Sequence, residues 1–259
     1  MLVWMLGAHH TVSGFPREFA VALSWSLYDF ALARVFYLAI EPYVRRLWPH
    51  VLVTWVRVLD GRRGDPLVGR DLLLGCLLGL ALSLGVAAHQ ASPTLLGLPP
   101  GRPDNVGYME PTLAGLMGVS QLVAQLLLLY RSAVVTVLGF FVVLVASRLL
   151  FRSSWLAFVT ALIVFLPYGM PRGELVGLNL GFALCFALVT LLVLMRIGLL
   201  AAAVGLMVHS TLQASALSWH LAAWPGNTSW LGLALVLGIG TYGLVRAMGG
   251  RLPVLAPLE

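Results

Sequence analysis

The sequence has no lysine, and only 10% of its 259 residues are charged. Soluble domains carry about 25% charged residues, so this chain has too few to cover a water-facing fold. Its sixteen basic residues are all arginine, set against ten acids, giving a net charge of +6. Genome base composition accounts for that choice of cation better than any chemistry does. Cysteine is nearly absent as well. Cys76 and Cys185 each sit inside an apolar run, without a CxxC or Cys/His spacing. They read as small hydrophobes, and neither a disulfide framework nor a zinc site is expected. No metal or other cofactor can be named from the residues. The pI near 9.9 could suit nucleic acid. However, the arginines cluster at the ends of apolar runs, where topology and lipid headgroups explain them, so nucleic acid is not expected as a partner.

What is present is apolar length. Hydrophobic residues make up 60% of the chain, and the mean hydropathy is +0.94. About 20 apolar residues cross a bilayer as a helix. By that ruler the chain reads as one all-α polytopic transmembrane bundle over residues 1–259. Spans are expected at 20–40, 72–88, 155–168, 175–195, 197–215 and 231–248. The stretch 112–151 contributes one more span if an interfacial helix precedes it, or two as a tight hairpin. The expected count is therefore seven, or eight with the hairpin. Gly75, Gly79 and Ser83 recur every four residues, a spacing that lets another helix approach closely.

One polar island, residues 41–71, interrupts this pattern. It holds Arg45, Arg46, Arg57, Arg62, Arg63 and Arg70 against Glu41, Asp60, Asp65 and Asp71. Short loops rich in basic residues stay cytoplasmic, which puts the island inside and the proline-rich loop 91–110 and the aromatic loop 217–230 outside. Pro42 is expected to end the first span. Residues 51–59 are too short to cross and should lie along or dip into the surface, and Asp71 should cap or charge the start of the next helix. Arg45, Arg46, Arg62, Arg63, Asp65, Arg70 and Asp71 are the candidates for docking a soluble partner or anionic lipid, which gains about 1 kcal/mol per basic residue near its surface.

Polar residues at bilayer depth are functional candidates by default. Asp29 and Arg34 lie in the first span, five residues apart and so on different stripes. His209 and Gln213 are i, i+4 neighbours that can satisfy each other or clasp another helix. His9 and His10 are adjacent and cannot chelate as an i, i+4 pair could. With His89 and His220 they fall on the outer face, where a shared ion or cofactor site competes with an ordinary interfacial role.

The island also carries a resemblance. EPYVRRLWP (41–49) followed by DPLVGRD (65–71) resembles the membrane region that lies C-terminal to the catalytic domain in certain bacterial serine/threonine protein kinases. GAHH (7–10), LMRIGLLA (194–201) and LSWHLAAW with YGLVRAMGGRLPV (217–254) extend the likeness over nearly the whole chain. The kinase elements are missing: there is no Gly-rich loop, no catalytic lysine, no HRD and no DFG. The resemblance thus implies a multi-pass module of the bacterial inner membrane, partnered by lipid and by other membrane or signalling proteins. It implies no reaction. The expected function is a non-catalytic anchor, sensor or accessory subunit.

Two other classes stay in view. Glu41 with Arg45 (ExxxR) and His209 with Gln213 (HxxxQ) resemble elements of CAAX-type intramembrane proteases, in which a glutamate would be the base and a histidine would bind metal or stabilise an oxyanion. The paired glutamates and FxxxH of that family are absent. A small transporter or cofactor-binding subunit would instead use Asp29, Arg34 and His209 to line a water-filled path.

Overall fold

The computed structural model describes residues 15–97, 118–169, 175–215 and 226–249. Among them the chain is all helical, without a strand. The helices are α1 (Phe15–Leu47), α2 (Pro49–Leu59), α3 (Pro66–Leu95), α4 (Val119–Phe151), α5 (Ser154–Phe165, continued by a 3-10 turn, Leu166–Tyr168), α6 (Val176–Arg196), α7 (Leu199–Ala214) and α8 (Gly226–Ala247). Five of them, α1, α3, α4, α6 and α8, are long and apolar enough to cross a membrane. The sequences read as spans at 155–168 and 197–215 form the shorter apolar helices α5 and α7. No hairpin interrupts 119–151, which is a single helix.

The short helix α7 is the centre of the bundle. It packs against α2, α3, α4, α6 and α8, and Leu199 to Leu206 are buried without a break. Lipid tails are as apolar as leucine, so hydrophobicity does not bind helices together in a bilayer; close packing and interhelical hydrogen bonds do. The α3–α7 seam shows how. A Cβ on Gly75 would lie 2.8 Å from the Ala201 carbonyl, one on Gly79 2.6 Å from Val208 Cβ, and one on Gly205 2.5 Å from Leu78 Cδ2. Only glycine admits this approach, as the four-residue spacing predicts. The contacts climb both helices in the same direction, so α3 and α7 run parallel.

The other directions follow from similar contacts. Gly69, near the start of α3, faces Gly243, Arg246 and Ala247 at the end of α8. His50, at the start of α2, bonds the Met195 carbonyl at the end of α6. Gly198, between α6 and α7, holds φ +143 with its Cα against the Val51 carbonyl. The ends of α1, α6 and α8 and the starts of α3 and α7 therefore gather at one end of the bundle, around the island. At about 1.5 Å per residue, the 30-residue α3 carries the chain roughly 45 Å away, so the flank of the proline-rich segment lies at the opposite end.

Several expectations need correction. α1 does not stop at Pro42 but runs through it to Leu47; the missing N–H costs one bond, while the added turn buries Val44 in the core. Asp65, not Asp71, caps α3, accepting from the Leu67 N–H at 2.9 Å. α2 is too short to cross and buries Val51, Leu52 and Thr54 against its neighbours. α3 continues through Pro93 to Leu95, and α8 begins at Gly226, each taking residues read as loop. The remaining loop residues, 98–110 and 217–225, lie outside the described residues, as do His9, His10 and His220.

Candidate functional site

A layer of polar side chains crosses the middle of the bundle. His209, 3% exposed, shares a 3.0 Å hydrogen bond through Nδ1 with the Ser83 hydroxyl on α3. Phe186 of α6 covers the imidazole, its ring 5.5 Å away at 63°. Two residues on, the Thr211 hydroxyl donates to the Met207 carbonyl, so the 2.7 Å bond between it and Tyr130 on α4 has tyrosine as donor. Thr136 of α4 donates to the Tyr168 hydroxyl at 3.0 Å. Next to Tyr130, Arg131 reaches outward to Asp29 of α1, 2.6 Å away. These pairs link α1 to α4, α4 to α7 and the 3-10 turn, and α7 to α3; three lie near one depth, and Thr136–Tyr168 lies about 9 Å from Tyr130 along α4.

This geometry redistributes the candidate residues. His209 clasps another helix through Ser83, while Gln213 is half-buried on α7. Asp29 is satisfied by Arg131, which the sequence did not single out. Arg34, five residues along α1, is exposed and has no partner among the described residues. Glu41 is twelve residues beyond Asp29, about 18 Å along the axis. Asp29 shares its depth with Thr211 and His209 through the Arg131–Tyr130 step, so Glu41 and His209 are not brought together. A groove of about 490 Å³ runs along α1 beside Ser24 and Tyr28, but neither Asp29, Arg34 nor His209 lines it. Among the described residues no three His, Cys, Asp or Glu side chains converge as a metal site would need.

The island end is a second constellation. Arg57 bonds Asp65 at 2.6 Å, tying α2 to the N-cap of α3. Tyr242 of α8 donates to the Arg63 carbonyl at 3.1 Å, and the Arg246 guanidinium lies 5.3 Å from the Tyr242 ring. Arg46, Arg62, Arg63 and Arg70 are exposed and remain available to lipid or protein; the Arg45 side chain lies outside the described residues. Asp65 is occupied as cap and ion-pair partner. Asp71 is fully buried and cannot dock anything. Arg70 reaches back to its Oδ1 at 2.9 Å, whereas Oδ2 has no partner, nor does the buried Thr54 hydroxyl on α2. One turn before Gly75, Asp71 stands level with the start of α7. That helix has no side-chain cap, and its first N–H groups carry partial positive charge. Asp71 shares its face of α3 with Gly75, the glycine that packs against Ala201 and Val204 of α7.

No protein-family model, curated protein or solved structure matches the chain. The functional reading rests on the residues themselves.

The pairings were hidden from sequence reading because each joins residues far apart along the chain, with 102 positions between Asp29 and Arg131 and 126 between Ser83 and His209. One signal was available. A lone acid in the middle of one apolar helix and a lone base in the middle of another predict each other, because neither is stable at that depth without a counter-charge.

Proposed function

We propose that the chain is a non-catalytic integral membrane module, an anchor or accessory subunit within a larger membrane complex. One observation carries this reading. Four polar pairs at bilayer depth are spent on one another, Ser83–His209, Tyr130–Thr211, Thr136–Tyr168 and Asp29–Arg131, and none of these residues lines the α1 groove. Gln125 and Arg34 are left without a partner among the described residues. A hydrolase needs a base within about 3 Å of a water, with its partner group in reach; the depth difference between Glu41 and His209 does not support that. A transporter needs midplane polar groups lining a path, and the α1 groove is lined by other residues.

The exposed arginines at the island support a cytoplasmic placement by the positive-inside rule, joined at that end by Arg152, Arg196 and Arg246. The likeness of EPYVRRLWP and DPLVGRD to kinase-linked membrane regions supports a signalling context in a bacterial inner membrane. Seven crossings are also the reading that chain continuity supports. α4 ends at the island and α6 starts at the far end, so the chain must cross between them. α7 then carries it back before α8.

The test is purification in mild detergent from native membranes alongside the reconstituted chain alone. The expected result is a stoichiometric complex heavier than the 27.9 kDa chain, with the isolated chain inert in peptide-cleavage and ion-flux assays. A partnerless protein whose cleavage or flux activity is lost in His209→Ala overturns the proposal.

A further inference from the structure

α1 is the least integrated span. None of its most apolar 18-residue window is buried, whereas a third or more of the equivalent windows in α3, α4 and α6 is. It packs against α2 and α4 through a face that includes Ser26, Asp29 and Val44. Turned about 100–180° around the helix from Asp29, though only about 40–120° from Ser26 and Val44, Leu23, Leu27, Phe30, Arg34 and Leu38 are all exposed. Their first four members follow the 4-3-4 spacing of a helix-packing seam. Three are large and apolar. The fourth is an arginine without a partner among the described residues, set seven residues, or about 10 Å, from the level of Glu41 toward the middle of the span.

We propose that this stripe of α1 receives a transmembrane helix of another protein, one that carries a carboxylate at the depth of Arg34. The argument is charge complementarity. A cation inside the hydrocarbon region without a counter-ion is costly, and the intramolecular acid nearest in sequence, Asp29, is taken by Arg131 on the other side of the helix. A second copy of this chain does not fit. A two-fold axis along the membrane normal brings identical residues together at identical depth, so Arg34 would face Arg34. The partner helix supplies the missing acid and covers Leu27 and Phe30. This inference rests on the accessory-module reading and names the surface through which such a module would assemble.

The test uses the full chain in phosphatidylcholine vesicles with a fluorophore-labelled 23-residue Leu/Ala transmembrane peptide bearing one Glu at the Arg34 depth. Matched peptides carry Leu, Gln or Lys there, and binding is read by energy transfer from a donor on the chain. The Glu peptide is expected to bind about five- to thirtyfold more tightly than the Leu peptide, as about 1–2 kcal/mol of interhelical hydrogen bonding implies. The advantage should vanish in Arg34→Leu and return in Arg34→Lys. Arg34 is exposed and bonds no described side chain, so Arg34→Leu is expected to keep the fold, checked by its SDS unfolding midpoint. Equal binding of all peptides overturns the proposal. So does energy transfer between copies of the chain that persists in Arg34→Leu, or an Arg34-dependent preference for anionic lipid over the Glu peptide. If the native complex forms but Arg34→Leu leaves it intact, this surface is wrong and the module reading stands.

Discussion

Gly79→Ala offers the sharpest trial of the claim that close helix approach holds this bundle together. The added methyl would stand 2.6 Å from Val208 Cβ and Cγ1 and 2.7 Å from the Gly205 carbonyl oxygen. Carbon atoms rest comfortably at about 3.5–4.0 Å, so α3 and α7 must part by roughly 1 Å at this point. A gap of 0.5–1 Å forfeits about a quarter to a half of each contact's dispersion energy, and the loss spreads along the seam toward Gly75. Overpacking of this kind costs about 1–3 kcal/mol. The same substitution at Gly181 or Gly238 meets nothing within 4 Å and should change stability by no more than about 0.5 kcal/mol. Reversible unfolding by SDS in mixed micelles, followed by circular dichroism, measures all three. Val208→Ala should partly rescue Gly79→Ala by removing the nearest branch, while the Gly205 carbonyl keeps the rescue incomplete. If Gly79→Ala is as stable as Gly238→Ala, the seam is not what holds α7 in place.

Three further outcomes are expected. In a double-mutant cycle of Ser83→Ala and His209→Leu, the coupling energy should be about 0.5–1.7 kcal/mol, the range of interhelical hydrogen bonds in membranes; zero coupling means the bond contributes nothing. Asp29→Asn leaves Arg131, 51% exposed, without its counter-charge and should cost about 1 kcal/mol. The same titration should find Asp29→Asn with Arg131→Leu no worse than Asp29→Asn alone. In a background with Cys76→Ala and Cys185→Ala, single cysteines at Arg62 and Gly97 should be labelled by an impermeant maleimide from opposite sides of the vesicle. Labelling from one side would overturn the topology.

Much of the architecture was legible in the sequence because a bilayer imposes simple rules. Hydropathy located the five long helices, arginine density located the island, and four-residue glycine spacing located the α3–α7 seam. Other features were not legible because they depend on register between helices. Asp71 looks like a surface residue in DPLVGRD, yet its face of α3 points along the seam toward the start of α7. Pro42 looks like a terminator, yet the turn beyond it buries Val44 in the core. The length of 197–215 suggested an ordinary span, whereas α7 is the short helix on which the others lean. For the candidate site, His209 was found from its depth alone. Its partner Ser83 reads in the sequence only as a small residue, and Arg131 is not singled out.

The pairing of Asp29 with Arg131 has a consequence for how the protein is made. The ribosome must add the 102 residues separating them before the counter-charge exists. At about 5–20 residues per second, that takes on the order of 5–20 s. Throughout that interval the nascent first helix presents an unneutralised acid midway along its apolar length. Delayed release of α1 from the insertion machinery is therefore the expected outcome, shortened in Asp29→Leu and read by crosslinking of stalled nascent chains.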